Sequence, residues 1–490
     1  MLLQIGSPDG AFQFNNLEYR NSMKKLSFLL PLLAMLLCAG NTFALVRVPP
    51  IIGSNMVLQQ NGKATLWGWG DASERFTIIS SWKTTADEVT TSPAGKWKIQ
   101  IATPPAGGPY TITLKGRSNT IVLENILIGE VWLCSGQSNM EVSNNKQIKD
   151  ELPTAANDKI RFFQVAHASS EYPQEFADGK WVPCSEESLR RFSAVAYFFG
   201  KKINKELNVP IGLIQSAWSG TPIELWEPQS IIDSDPDMIK ASKTIKTVTY
   251  RPDKPGLIYN SMIAPIISYT IAGTLWYQGE GNAPRAYAYE KMLTGMIANW
   301  RKLNGNEFPF YIVQIAPFSG YETPIEAALL YEQQTRALKY PKTGMVVITE
   351  LVDDIKSQHP IDKLTVGNRL ANLALADTYK KPIPVGEYRN PLFNHMDISK
   401  GKATLYFDYA PNGFMLKGDA KQATEFTIAG EDHNFVPAEV VKIEKDKIIV
   451  SSKAVPNPVA VRFSFTNIAM SNLFNKEGLP VNPFRTDDWK

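Results

Sequence analysis

The chain has 490 residues, more than one hydrophobic core usually serves, so two or three domains are expected. Hydrophobic residues make up 44% and charged residues 20%, a balance that argues against a disordered or fibrous protein. The 51 Lys and Arg against 48 Asp and Glu give a net charge of +3, and the absence of a long basic run argues against nucleic acid as the partner.

The N-terminus has the pattern of a secretory signal. Residues 23–25 are Met-Lys-Lys, an apolar run follows over 26–37, and residues 42–44 offer small side chains at which signal peptidase cuts. The apolar run is shorter than the roughly 20 residues that span a bilayer. We therefore predict a signal peptide with an upstream start-codon artefact over 1–44, no membrane span, and export to the periplasm or the extracellular space.

The cysteines leave two points open. Cys134 and Cys184 would remain after cleavage, and an oxidising compartment makes a disulfide between them possible. Two separate buried thiols explain the same residues equally well. Cys38 lies next to the apolar run, but Leu37 before it does not fit a lipoprotein signal, so a lipid anchor is only a minor alternative.

Residues 45–120 have the composition of an all-β unit. Short runs rich in Thr, Trp and Ile alternate with turn residues, and the Pro- and Gly-rich stretch 104–109 is typical of a hairpin loop. We predict a small β-sandwich. Its strand candidates are Ala64–Trp69, Phe76–Trp82, Lys96–Ile101 and Tyr110–Leu114.

From about residue 121 buried strands alternate with amphipathic helices. This alternation predicts a three-layer αβα domain over 121–385, with a mainly parallel sheet between two layers of helices. In such sheets the catalytic and binding residues lie at the carboxyl ends of the strands. The strand candidates are Ile126–Leu133, Ile160–Val165, Gly212–Ser216, Gly273–Tyr277, Phe310–Ile315 and Met345–Thr349, and the helix candidates include Phe192–Leu207 and Tyr287–Leu303.

After about residue 385 the pattern returns to short strands. The period-2 alternation and the turn residues between the runs predict a further β-unit over 386–490. Its strand candidates are Thr404–Tyr409, Glu425–Ala429, Lys447–Ser451 and Val459–Phe465.

Several residues after these strands suit attack on an ester carbonyl. Ser138 follows the first strand in Gly-Gln-Ser-Asn-Met, where a tight turn exposes a hydroxyl and leaves a backbone N–H free. The turn at Gly220, the segment 278–282 and the pair His359-Pro360 follow three other strands. One sheet edge thus offers a hydroxyl, backbone and amide donors, and an imidazole, which together predict acyl transfer from a serine.

The same residues resemble the four sequence blocks of the SGNH (GDSL-type) hydrolases, in particular the branch of sialate O-acetylesterases and acetylxylan esterases. The resemblance covers nearly all of the chain after residue 44, and four blocks in order are more specific than any one. The blocks are Gly136-Gln137-Ser138-Asn139-Met140, the Gly220 turn, Gln278-Gly279-Glu280-Gly281-Asn282 and His359-Pro360.

The resemblance implies a role for each matching position. Ser138 would be the nucleophile and His359 its base, and no metal or cofactor would be required. The oxyanion hole would consist of the Ser138 and Gly220 N–H groups and the Asn282 side-chain amide. The supporting residues of these blocks would be Gln137, Gln278 and Glu280, with Glu280 as a carboxylate that holds its block together.

The third member of the catalytic triad departs from the family pattern. Ser357 stands where the usual member has Asp, two residues before the histidine. The nearest candidates are Asp354, which we favour, Asp353, and Asp362, which suits the N-terminus of the following helix better. The alternative is a Ser–His dyad whose imidazole is oriented by a backbone carbonyl or by Ser357.

The predicted activity is therefore hydrolysis of acetyl esters on a carbohydrate, with water as the second reactant. The sequence does not choose between acetylated sialic acid, acetylated xylan or another glycan. Two other classes remain as alternatives: a carbohydrate-binding protein that has lost catalysis, and a glycoside hydrolase that uses Glu280 with Asp354.

Overall fold

The structure, a computed structural model, describes residues 45–489. The predicted signal peptide over 1–44 lies outside this range. Within the range, no helix is both long enough and apolar enough to cross a membrane.

The N-terminal unit consists of two small sheets that face each other. Strands β2 and β5 form an antiparallel pair, and β3 pairs antiparallel with both β4 and β6. The two sheets share a core in which the rings of Phe76 and Trp97 meet edge to face at 5.2 Å. The strands are β1 (Val57–Gln59), β2 (Lys63–Trp69), β3 (Arg75–Ser80), β4 (Asp87–Thr90), β5 (Lys96–Ala102) and β6 (Gly107–Lys115).

Strand β7, Thr120–Gly136, belongs to both the N-terminal unit and the central sheet. Over its 17 residues its first half pairs antiparallel with β6, and its second half pairs parallel with strands of the central sheet. Its burial pattern changes along the way, from alternating exposure to continuous burial. This change marks the passage from a half-exposed sheet to one covered on both faces.

The central sheet has the strand order β13-β12-β11-β7-β10-β8-β9. All neighbouring strands in this order run parallel except β8 and β9. The six strand candidates are all present, which confirms the mainly parallel α/β fold. The strands after β7 are β8 (Asn157–Gln164), β9 (Trp181–Cys184), β10 (Ile211–Ala217), β11 (Gly273–Tyr277), β12 (Phe310–Val313) and β13 (Thr343–Val346).

Helices cover both faces of this sheet. On one face α4 packs against α9, and on the other α7 and α8 bury Trp276 and Trp300. The two predicted helices begin two residues later than expected, because Ser193 caps α4 and Ala288 precedes α7. The helices are α1 (Ser138–Glu141), α2 (Lys146–Glu151), α3 (Glu186–Leu189), α4 (Ala194–Leu207), α5 (Gln229–Ile232), α6 (Pro236–Ser242), α7 (Tyr289–Asn304), α8 (Glu326–Arg336) and α9 (Lys363–Asp377).

Short 3₁₀ and π segments connect many of these elements. Among residues 45–489, six are of the 3₁₀ type and one, Tyr259–Ile263, is a π-helix. The 3₁₀ segments are Leu152–Thr154, Ile223–Trp226, Glu280–Ala288, Ala337–Lys339, Thr349–Leu351 and Val385–Glu387.

The C-terminal residues form a β-unit with its own core, as expected. Strands β14, β15, β20 and β19 form one antiparallel sheet, and β18, β17, β21 and β23 form another. The strands are β14 (Leu392–Ser399), β15 (Lys402–Asp408), β16 (Phe414–Leu416), β17 (Phe426–Ala429), β18 (Val436–Pro437), β19 (Glu439–Ile443), β20 (Lys447–Ser451), β21 (Ala460–Phe463), β22 (Leu473–Asn475) and β23 (Phe484–Arg485).

Cys134 and Cys184 are free thiols, so the alternative of separate buried cysteines is the correct one. Both lie in the core on the α4 face of the sheet. The Cys184 thiol donates to the carbonyl of Ala155 at 3.0 Å. Burial raises the pKa of both thiols, to about 12 for Cys184, which keeps them unreactive.

Candidate active site

Two strand registers bring the candidate residues to one edge of the sheet. Gly136 at the end of β7 pairs with Ala217 of β10 on one side and with Tyr277 of β11 on the other. A Cβ at Gly136 would lie 2.2 Å from the Tyr277 carbonyl oxygen, so only glycine allows β7 to turn here. Ser138 begins α1 directly after this turn, with 9% of its surface exposed.

The hydroxyl of Ser138 and the ring of His359 form a hydrogen bond. The distance from Ser138 Oγ to His359 Nε2 is 2.9 Å. A neutral imidazole that accepts the hydroxyl proton at this distance has the geometry of a general base beside its nucleophile. His359 lies in the loop before α9, where its backbone N–H donates to Ser357 Oγ at 3.1 Å. The two residues are thus adjacent in space although 221 positions separate them.

The hydrogen bonds of the three candidate aspartates go to groups other than the His359 ring. Asp354 accepts the Lys356 N–H at 2.9 Å, and Asp353 accepts the Ile361 N–H at 3.3 Å. Asp362 caps α9 by accepting the Thr365 N–H at 2.9 Å, as its position in the sequence predicted. Within residues 45–489, no carboxylate makes a hydrogen bond to the second nitrogen of this ring.

A buried polar network connects the nucleophile turn to the histidine loop through Asn139. Its side-chain amide donates to Glu280 Oε1 at 2.6 Å and to the carbonyl of Gln358 at 2.8 Å, and its oxygen accepts from Lys363 Nζ at 2.6 Å. Because Asn139 follows Ser138 and Gln358 precedes His359, these bonds fix the spacing between nucleophile and base. Lys363 was not among the predicted site residues; apart from its place just after Asp362, the sequence carries no signal for its role.

Burial and charge set the protonation of this network. Burial lowers the pKa of Lys363 to about 8 and raises the pKa of Glu280. Burial first and the Lys363 cation second lower the pKa of His359. The imidazole is therefore kept neutral, and able to accept a proton, at a more acidic pH than an ordinary histidine.

Glu280 has the surroundings of a supporting residue. Its side chain is 6% exposed and holds Asn139, while Asp354 is exposed on the histidine loop. A glycoside hydrolase needs two carboxyl groups that face the same sugar bond. No contact of Glu280 or Asp354 favours that alternative.

The Gly220 turn lies beside α1 and is held by Glu141. Glu141 accepts the backbone N–H of Ser219 at 2.7 Å and forms a 2.7 Å ion pair with His167. Burial alone would raise the pKa of Glu141, but the hydrogen bonds from His167 and Ser219 hold it below its ordinary value. Gly220 itself has a φ of 73°, a conformation that favours glycine.

Asn282 lies in a second buried network. Its side-chain nitrogen donates to Glu224 at 2.8 Å, and its oxygen accepts the Ile223 N–H at 2.9 Å and the Gln278 side chain at 2.8 Å. Glu224 also binds Arg285 at 2.7 Å. An amide nitrogen carries two N–H groups, and the second one of Asn282 has no acceptor among residues 45–489.

Gln137 links the Ser138 turn to the segment that carries Gln278. Its side-chain oxygen accepts from the Gln278 amide and from the Gly281 N–H, both at 3.2 Å. Gln278 is fully buried and also accepts the Tyr289 hydroxyl at 3.0 Å. These two glutamines therefore connect the ends of β7 and β11, which suits the supporting role expected of them.

A serine hydroxyl bonded to an imidazole at the carboxyl edge of a parallel sheet is the arrangement of a serine hydrolase. Comparison with known proteins gives the family. A family model described as carbohydrate esterase, sialic acid-specific acetylesterase, matches residues 128–376, half of the chain. The chain belongs to this family of carbohydrate esterases, which confirms the resemblance seen in the sequence.

Individual relatives extend the similarity beyond the matched segment. The sialate O-acetylesterase of Homo sapiens is 28% identical over 460 residues, which cover 86% of this chain and 87% of that protein. The mouse (Mus musculus) sialate O-acetylesterase is 27% identical over 490 residues, with 86% and 89% covered. The crystal structure of a carbohydrate acetylesterase from Xanthomonas citri is 32% identical with a TM-score of 0.83, and the match covers 91% of this chain and all of that one.

Proposed function

We propose that this carbohydrate O-acetylesterase hydrolyses acetyl esters through an acyl-enzyme on Ser138, with His359 as the base. The observation that carries the proposal is the 2.9 Å contact between Ser138 Oγ and His359 Nε2. Ser138 begins α1 just past the end of β7, and Glu141 at the end of α1 accepts the N–H of Ser219, next to Gly220, which supports Gly220 as a backbone donor near the nucleophile.

The reaction has two steps. His359 takes the Ser138 proton as the oxygen attacks the acetyl carbonyl, and the imidazolium then gives that proton to the departing sugar hydroxyl. The N–H groups of Ser138 and Gly220 and the Asn282 amide would hold the oxyanion. In the second step His359 activates a water that attacks the acetyl-serine ester, which releases acetate and restores the serine.

For the sugar, we propose acetylated sialic acid first and acetylated xylan as the alternative. The support is the similarity to mammalian sialate O-acetylesterases, whose own lengths are matched over 87% and 89%. The test is acetate release from a panel of acetylated sialosides, xylans and other glycans, with Ser138→Ala as the blank. Release from neutral glycans alone would overturn the sialate assignment and leave the serine mechanism intact.

The N-terminal sequence supports one more part of the proposal, that the protein is exported to the periplasm or the extracellular space. Residues 23–44 carry the positive segment, apolar run and small residues of a cleaved secretory signal. An acetylated glycan outside the cytoplasm would be a fitting substrate for such a protein.

Asp354→Asn is expected to retain near-normal kcat. The reason is that the Asp354 carboxylate accepts the Lys356 N–H rather than a proton from the His359 ring, which favours the Ser–His dyad. Steady-state acetate release decides the matter, with Asp353→Asn as the matched control on the same loop. A steep fall in kcat for Asp354→Asn alone, in a protein with unchanged circular dichroism, would restore Asp354 as the third member of a triad.

The acid limb of the kcat/KM profile is expected below pH 6.5, the ordinary pKa of histidine, because the pKa of His359 is lowered. A base with a lowered pKa loses its activity only when the pH falls through that lower value. Lys363→Met removes the cation that contributes to the shift, so the limb should move to higher pH. Lys356→Met, which removes an exposed lysine from the histidine loop, should leave it in place. An unmoved limb in Lys363→Met would show that burial alone lowers this pKa.

A further inference from the structure

An exposed aromatic ring lies against the Gly220 turn. Tyr250 is 60% exposed, the second most exposed of the large hydrophobic side chains that the structure describes after Tyr172. A Cβ built on Gly220 would lie 2.8 Å from the Tyr250 ring, so the ring covers the face of that glycine. The ring therefore borders the place where a carbonyl would meet the Gly220 N–H.

The loop that carries Tyr250 is held in place from two sides. The indole nitrogen of Trp218 donates to the Tyr250 carbonyl at 3.1 Å. The guanidinium of Arg251 donates to the carbonyls of Pro252 at 2.8 Å and Lys246 at 3.2 Å. The backbone of the loop is thus fixed by side chains, which orders the ring before any ligand arrives.

Trp218 is itself fixed. Its ring stacks on His167 with centroids 4.4 Å apart and planes 2° from parallel, and His167 is held by its ion pair with Glu141. Glu141 is the last residue of α1, which begins with Ser138. A series of direct contacts therefore connects α1, the helix that begins with Ser138, to the loop that carries Tyr250.

We propose that Tyr250, backed by Trp218, is the platform on which the pyranose ring of the acetylated sugar rests. This inference rests on the proposed function and names the residues that recognise the sugar. An aromatic face is apolar and flat, and a pyranose presents a face of C–H groups that packs on such a surface and leaves its hydroxyls to water. The ordered ring beside Gly220 would place the ester of that sugar at Ser138.

If Tyr250 binds the sugar ring, its removal should affect substrate binding and the acyl-transfer step differently. Packing of this kind acts on the bound substrate and the transition state alike, so its loss raises KM more than it lowers kcat. An ester without a ring gains nothing from the platform. The two kinds of substrate should therefore respond differently to the removal of the tyrosine ring.

The experiment compares Tyr250→Ala with the wild type on an acetylated methyl pyranoside and on ethyl acetate. We expect kcat/KM for the pyranoside to fall about tenfold, mainly through KM, and that for ethyl acetate to fall less than about threefold. Tyr250→Phe should restore the pyranoside value, because the ring and not the hydroxyl makes the platform. Tyr406→Ala removes a stacked tyrosine from the C-terminal unit and is the matched control.

Two results would overturn the platform. Equal losses of kcat/KM on both substrates would show that Tyr250 supports the Gly220 turn or the folded state rather than the sugar. Unchanged kinetics on both substrates would show that the sugar does not contact the ring. A different result would contradict the proposed function: hydrolysis of ethyl acetate that persists in Ser138→Ala. Thermal unfolding of each variant identifies a loss that comes from misfolding.

Discussion

Replacing Ser138 with alanine is expected to lower kcat for acetate release on the order of 10⁴-fold or more. The serine oxygen forms the bond to the acetyl group, and no other hydroxyl of residues 45–489 makes a hydrogen bond to the His359 ring. His359→Ala should cost a similar factor, since the hydroxyl then has no base. The double variant should be no slower than either single one, because the two residues act as a unit.

The matched control for this experiment is Ser216→Ala. Ser216 lies on β10 of the same sheet, fully buried, and its hydroxyl donates to the carbonyl of Met262 at 3.2 Å. Its loss should leave kcat close to the wild-type value. Activity of Ser138→Ala within tenfold of the wild type, or a double variant slower by the product of the two factors, would contradict the nucleophile–base assignment.

The second large effect is expected at Asn282. Asn282→Ala should lower kcat about a hundredfold or more, the range seen when one preorganised oxyanion donor is lost. The structure adds a cost in stability that the sequence alone did not suggest. Glu224 and the Ile223 N–H would lose a buried partner, which lowers the free energy of unfolding by about 1–3 kcal/mol. Urea unfolding and acetate release measure the two effects separately.

Arg285→Met distinguishes an oxyanion donor from a scaffold residue. It breaks the network at Glu224 from the opposite side, because Arg285 and Glu224 form a buried ion pair at 2.7 Å, but it leaves the Asn282 amide in place. We expect this variant to lose stability while kcat stays within about tenfold. If Arg285→Met lowers kcat as much as Asn282→Ala does, Asn282 acts through the network and not on the oxyanion.

The sequence predicted the central sheet well because β10, β11, β12 and β13 are buried throughout and β8 is buried over Ile160–Phe163. It missed β9, Trp181–Cys184, for a physical reason. This strand is short, runs antiparallel at the edge of the sheet and contains Pro183, a residue that lowers the expectation of a strand and is tolerated only at such edges. It also ended the N-terminal unit at residue 120, although the first half of β7 pairs with β6 of that unit, since the change from one sheet to another leaves no break in the chain.

The sequence indicated the candidate site residues that belong to a motif. It did not indicate those whose role depends only on the direction in which the side chain points. Ser138 and His359 were found from their places after strands of the sheet and from the family resemblance, because nothing in a spacing of 221 positions indicates contact. Lys363 was missed because a lysine on a helix is expected to face water, whereas here only 1% of it is exposed. For Asp354, nearness in the chain could not reveal that its carboxylate turns toward Lys356.

The continuous strand β7 has a consequence for how this protein can change in evolution. Its residues 120–129 pair with β1 and β6 of the N-terminal unit, and the residues directly after them lead to the nucleophile turn. Deletion of that unit would leave an open, unpaired edge on the same strand that positions Ser138. The N-terminal unit is therefore not an exchangeable module, and the two parts are expected to be inherited, and to unfold, as a single cooperative body.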